Sequence, residues 1–264
     1  MKIIPYKDHY DPTLLQPVAR APQRRELGIE AALPFTGADI WTAYELSWLD
    51  PNGKPWVAMA TFIIPAESPS LIESRSFKLY LNSFNQTPVA SPEVLRDLLS
   101  RDLAGACGAA VGVQILLPGE FPDEQIEEMD GEFIDGIDVE IRDYLPNPTH
   151  LAVGRSGVEE TLVSNLLKTN CPLTGQPDWA SIQSRYRGGR MDRAGLLKYL
   201  VSFRQYGGFH EHCAERIFAD LMHRCRPERL TVYARYTRRG GLDINPFRTN
   251  CDEKLPRNVR TARQ

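Results

Sequence analysis

Aromatic and β-branched residues crowd two runs, 40–49 and 55–64, and Pro51-Asn52-Gly53 stands between them. That pattern predicts a β-hairpin, because Asn-Gly accepts the positive φ that a tight turn needs. Phe77, Tyr80, Leu81 and Phe84 then recur at helical spacing. Ser91-Pro92 opens a second helix, with Ser as cap and Pro in the first position, and this helix is expected to end near Gly105. Residues 110–117 read as a strand. From Pro118 to Pro148 the chain is acidic and irregular, with short strand candidates and the expected inter-domain link.

The second half repeats the order. Residues 158–168 alternate loosely and fit strand or helix; we read a strand, because CPLTGQPD follows and residues 179–186 form its return. Asp192 caps a helix with Leu196, Leu197, Leu200 and Phe203 on one face. Gly207-Gly208 breaks it, a second helix runs from about Phe209 to Arg224, and Leu230 to Tyr236 is a strand leading into the basic turn TRRGG. Residues 1–37, rich in Pro and polar groups, read as an extended arm. The pattern thus predicts an α+β chain of arm 1–37 and two modules, 38–148 and 149–264, each a hairpin, two helices and strands.

Composition changes this picture little. The 264 residues are 42% hydrophobic and 25% charged, ordinary for globular domains. A net charge of −3 gives no reason to expect a nucleic-acid or membrane partner. Five cysteines, an odd number with no CxxC pair, argue against a disulfide framework and fit a reducing, cytoplasmic setting. No apolar run has signal-peptide length or approaches the roughly 20 residues of a membrane span.

Four stretches carry candidate chemistry. Cys171 lies in the loop TNCPLTGQPDW, where access suits a thiolate nucleophile, and the Pro/Gly-bent turn can return Asp178 to the same place. The competing reading is a buried Cys packed as a small apolar side chain. His210, Glu211, His212 and Cys213 open a helix. They read as a polar substrate clamp, or as a zinc site in which His210 and Cys213, three apart, join Cys171; alternatively Glu211 simply complements the helix dipole and His212 is solvated. Glu73 in LIESRSFK reads as a helix cap, Arg75 and Lys78 share a face, and Arg235, Arg238 and Arg239 with Gly240-Gly241 form the densest basic turn. Arg binds phosphate bidentately and Gly brings backbone N–H groups close. Neither GxGxxG after a strand nor GxxxxGK[ST] is present.

ESRSFKLY at 73–80, NCPLTGQPDWASI at 170–182, SFRQYGGFHEHCAERIF at 202–218 and YARYTRRGGLDINP at 233–246 together resemble the long, two-module QueF family, the NADPH-dependent 7-cyano-7-deazaguanine (nitrile) reductases of queuosine biosynthesis. YDPTLLQPVAR at 10–20 and DIWTAYELSWL at 39–49 extend the resemblance over nearly the whole chain. It implies two tandem tunnelling-fold modules, each an antiparallel sheet with two helices on one face, and a homodimer. It further implies Cys171 as nucleophile and Asp178 as proton donor, with Ile72, Glu73, Ser74, His210 and Glu211 against the deazaguanine. Ser74, Arg75, Arg239 and Gly240 would meet NADPH, two of which are consumed per substrate; no resident metal, nucleic acid or membrane is implied. Arg75 stands where the family usually has Lys, which keeps the charge but changes its reach. Two other classes compete: a zinc-dependent cyclohydrolase of the same fold using Cys171, His210 and Cys213, and a purine-binding module without catalysis.

Overall fold

The computed structural model describes residues 6–30 and 32–264; residues 1–5 and 31 of the expected arm lie outside the described residues. The arm is not extended throughout. It forms a 3-10 turn at Pro12–Leu14, a short strand β1 (Pro17–Ala19) and a helix α1 (Ala21–Glu26). Its arginines explain the difference: Arg20 and Arg24 are buried, Arg20 against Asp39 at 2.5 Å and Arg24 against Glu215 at 2.8 Å. Such partners lie far away in sequence and leave no local signal.

The chain forms two compact units. One holds Asp39–Gln125 with the segment up to Pro22 and the turn Arg238–Asp243; the other holds Gln23–Ala38, Ile126–Thr237 and Ile244–Gln264. The first unit carries most of β2 (Thr36–Leu49), then β3 (Pro55–Pro65), β4 (Ser70–Ile72), α2 (Ser74–Asn82), α3 (Pro92–Cys107) and β5 (Gly112–Leu116). The β2–β3 turn closes as its residues require: Gly53 has φ +83°, and Asp50 Oδ1 accepts from the N–H groups of Asn52 and Lys54. β5 pairs antiparallel with β3, and β1 with β4. Ser91 caps α3 by accepting from Val94 N at 3.3 Å, and the helix ends at Gly108, φ +78°. Leu95, Leu99, Leu103 and Cys107 bury one stripe of it. Trp41 and Phe62 each meet Phe77 at 5.0 Å between ring centroids, so α2 docks through an aromatic cluster.

In the second unit β7 (Val153–Asn170) and β8 (Pro177–Met191) form a hairpin longer than expected, and both flank the CPLTGQ loop. β6 (Glu132–Phe133) pairs parallel with β7, and β9 (Arg229–Tyr236) pairs antiparallel with β8. α4 (Arg193–Val201) and α5 (His210–Cys225) follow the hairpin, and Asp192 caps α4 through Ala194 N. β10 (Leu242–Thr249), which the sequence reading does not anticipate, pairs with β9. It contains Pro246, a residue without an N–H that ordinarily argues against an interior strand, yet all eight of its positions are buried. The fold is α+β, and β2-β3, α2, α3, β5 and then β7-β8, α4, α5, β9 repeat one order of elements. Among the described residues no helix is long and apolar enough to cross a membrane.

Candidate active site

Cys171 follows the last residue of β7 and is half-buried. Its N–H donates to Gln176 O at 2.8 Å and its carbonyl accepts from Gly175 N at 2.9 Å, so the loop closes on itself. Gly175 has φ +71°, a conformation that favours glycine. The closure returns the chain at Pro177, which pairs with Asn170, and places Asp178 opposite Thr169. Asp178 is 6% exposed. The segment before α5 is pinned to the same strand end: Asn170 N donates to Tyr206 O at 2.8 Å and Gly208 N to Asn170 O at 3.1 Å.

That pinning starts α5 at His210, whose Nε2 lies 3.3 Å from Asp178 Oδ2. The imidazole stacks on Tyr236, centroids 3.8 Å apart and planes 7° from parallel, and its Nδ1 is buried with no hydrogen-bond partner among the described residues. Glu211 is 2% exposed in the first turn of α5, where the positive end of the helix dipole favours a carboxylate. Cys213 lies one turn on and is fully enclosed; burial pushes its thiol up to about 12, so it stays protonated and unreactive at neutral pH. Among the described residues no three of His, Cys, Asp and Glu gather as a metal ion would need.

In the first unit, Ile72 is buried at the end of β4, where it pairs with Pro17. Glu73 caps α2, with Oε1 accepting from Arg75 N at 2.9 Å and Oε2 from Ser76 N at 2.7 Å. The capping expected of Glu73 is therefore present, and any ligand would share a carboxylate already engaged. Ser74 is half-buried and Arg75 exposed. Lys78, on the same helix, pairs with Glu45. The basic turn between β9 and β10 is a two-residue loop: Arg239 N donates to Leu242 O at 2.9 Å, and Gly240 and Gly241 have φ +62° and +76°. The second position favours glycine through its φ of +76°, and a Cβ there would in addition push aside the Glu45 carboxyl group, 2.5 Å away at the end of a flexible side chain. Arg239 and Gly240 are exposed, and the Arg238 guanidinium lies 4.5 Å over the Tyr44 ring. Arg235 departs from the basic cluster read in the sequence: it is buried, donating to Gln264 Oε1 at 2.6 Å and to Asn258 Oδ1 at 3.1 Å.

The structure thus brings Asp178 to His210 beside the Cys171 loop, and sets the Arg239-Gly240 turn and the α2 start in the other unit. Sequence reasoning missed Tyr236, seen only as the end of a strand. Its strand register, opposite Ala180 and two residues from Asp178, was the available signal.

The comparisons with known proteins decide the family. Residues 6–115 match the family described as nitrile reductase, 7-cyano-7-deazaguanine-reductase N-term, and residues 177–255 match the family described as QueF-like protein. A Bordetella pertussis protein named NADPH-dependent 7-cyano-7-deazaguanine reductase is 60% identical over 262 residues, 99% of this chain and 96% of its own. The chain belongs to the 7-cyano-7-deazaguanine reductase family. A member from Burkholderia multivorans with the same name is 56% identical over 261 residues, 98% of this chain and 95% of its own. The first matched segment contains Ile72 to Arg75, and the second contains Asp178, His210, Glu211, Arg239 and Gly240; Cys171 falls between the two. A solved structure of the archaeosine synthase QueF-Like in the apo form aligns at 15% identity and TM-score 0.32 over 39% of this chain and 99% of that one, too loosely to bear on the fold of this family member.

Proposed function

We propose that this chain is an NADPH-dependent reductase that converts the nitrile of 7-cyano-7-deazaguanine to the aminomethyl group, in queuosine biosynthesis, through a thioimide on Cys171. The observation that carries the reading is the buried Asp178–His210 pair at 3.3 Å beside the loop that presents Cys171. We take the two repeats of element order as tandem tunnelling-fold modules, 38–148 and 149–264, acting as a cytoplasmic homodimer without nucleic acid or membrane.

A nitrile carbon is a poor hydride acceptor. In the proposed mechanism the Cys171 sulfur bonds to it, and Asp178 carries the thiol proton to the nitrile nitrogen, giving a neutral thioimide. NADPH, when bound, supplies hydride to that carbon, one equivalent for each of the two reduction stages. After the first stage the C–S bond breaks and its electron pair returns to Cys171, leaving an imine; the second stage gives the amine. Overall, one nitrile, two NADPH and two protons yield one amine and two NADP+. Glu211 accepts from the ring N–H and exocyclic amine of the base, and His210, Ile72, Glu73 and Ser74 complete its surroundings. A buried carboxylate left unpaired by a wrong base makes such recognition selective. The donor set suits a dinucleotide phosphate: Ser74 and the exposed Arg75 on α2, and the exposed Arg239 and Gly240 on the β9–β10 turn.

Incubation with the nitrile and no NADPH is expected to add the mass of one substrate per chain. Cys171→Ala abolishes the adduct on this reading, while Cys107→Ala and Cys225→Ala leave it intact, since both thiols are buried and burial pushes them up, Cys225 to about 11. An adduct that survives in Cys171→Ala would remove the assignment.

A further inference from the structure

Resting on the function proposed above, we infer that Tyr236 is a positioning residue for the reaction: its ring fixes the plane of the His210 imidazole so that the imidazole edge meets Asp178.

Strand register puts the two groups together. Ala180 of β8 pairs directly with Tyr236 of β9, and Thr169 of β7 with Asp178. Paired residues, and residues two apart on a strand, project from one face of a sheet. Asp178, Ala180 and Tyr236 therefore stand on one face, which also receives His210 from the start of α5. Ala180 is the small residue that leaves room between the other two.

Hydrogen bonds alone do not orient the His210 ring. Among the described residues its Nδ1 is buried with no hydrogen-bond partner, and Nε2 lies 3.3 Å from Asp178 Oδ2, beyond the usual 2.7–3.2 Å range. The terminal torsion of His is intrinsically broad, so one contact at one edge leaves the ring able to swivel. The face of the ring is what is held: it lies 3.8 Å from the Tyr236 ring and within 7° of parallel. Tyr236 is itself rigid. It is 0% exposed, its N–H donates to Asn245 Oδ1 at 3.2 Å, and its carbonyl accepts from Gln264 Nε2 at 2.8 Å. Gln264 Nε2 also donates to Asn245 Oδ1 at 2.7 Å, which ties the two supports together. The Tyr236 hydroxyl is directed to Thr169 and Cys213, so it is the face of the ring that meets the imidazole.

The test is a double-mutant cycle read on the rate of substrate adduct formation at Cys171. Tyr236→Phe keeps the ring and is expected to react within about twofold of the native protein. Tyr236→Leu removes it, and the rate is expected to fall by about tenfold, the upper end of what an aromatic pair contributes. In the His210→Ala background the same Leu substitution is expected to add no further loss, because the group it positions is gone. A loss that adds fully in that background, or a Phe variant as slow as Leu, overturns the inference. A second readout stands apart from catalysis and from the folding of the Leu variant. The carbon-bound ring protons of His210, assigned by their disappearance in His210→Gln, are expected upfield of those of the other four histidines in the native and Phe proteins. An unshifted His210 signal overturns the stack. If the native protein forms no adduct while His210 is shifted, the proposed function fails and the positioning of the ring stands.

Discussion

His212, expected from the sequence to be solvated, is instead buried two residues from His210, where α5 packs inward, and its Nδ1 has no hydrogen-bond partner among the described residues. Desolvation by burial lowers its pKa, an effect that Arg216 reinforces and the Glu215 and Glu26 carboxylates oppose. The unfolded chain therefore binds this proton more readily than the folded one. Stability attributable to His212 is complete above the ordinary histidine value of about 6.5 and is lost as pH falls from there through the lowered folded value. Urea titrations from pH 7.5 to 5 are expected to show native stability declining toward acid, with a shallower decline in His212→Gln. Equal slopes in the two proteins would assign the acid sensitivity elsewhere. The cysteines follow the same physics: Cys107, Cys213 and Cys225 are raised by burial, whereas Cys171 sits half-buried in a closed loop.

Helical glycines separate propensity from packing at the scale of elements. Gly105 lies exposed inside α3, and a Cβ there would meet nothing within 4 Å. Gly105→Ala is expected to raise stability by about 0.5–1 kcal/mol, because alanine loses less backbone entropy on forming helix. Gly195 lies in the first turn of α4, and a Cβ there would stand 2.2 Å from His150 O, a backbone atom. Gly195→Ala is expected to cost about 1–3 kcal/mol through the shift it forces. Thermal and denaturant unfolding of both variants checks the pair, and two changes of the same sign would contradict the packing argument.

The second unit is knitted across distant sequence by a buried charge cluster. Glu215 of α5 accepts from Arg24 Nε at 2.9 Å and from Arg248 Nε at 3.0 Å, and Arg248 also donates to Ala38 O at 3.2 Å. One carboxylate thereby holds the segment around α1 and the strand β10 to the same helix. Removing one partner of a buried ion pair leaves the other charge without compensation, at a cost of about 3–5 kcal/mol. Glu215→Ala is expected to lose that much, since it strands two guanidinium groups. Arg24→Met is expected to lose less, since Arg248 still faces Glu215. The relative denaturation midpoints decide it, and an Arg24 variant weaker than the Glu215 variant would refute the ranking.

Local chemistry was legible wherever a residue acts on its chain neighbours. Asn52-Gly53 announced its turn, Ser91-Pro92 and Asp192 their helix starts, and Gly207-Gly208 the break before α5, because caps and turns depend on φ and on N–H groups a few residues away. The same locality made the Cys171 loop visible, and the linear motifs pointed to the family to which the chain belongs. What lay beyond reach was decided by side chains meeting across strands and helices. Arg235 reads as one of a basic cluster but is buried against Gln264 and Asn258. β10 hides behind Pro246, and its burial comes from neighbours that no window of sequence contains. The arm became helix at Ala21–Glu26 next to arginines paired with Asp39 and Glu215. Tyr236 came to His210 through register, since Ala180 faces Tyr236 only once β8 and β9 are aligned. Sequence carries the conformational preferences of each segment, but desolvation and contact at a distance exist only after the chain has folded back on itself.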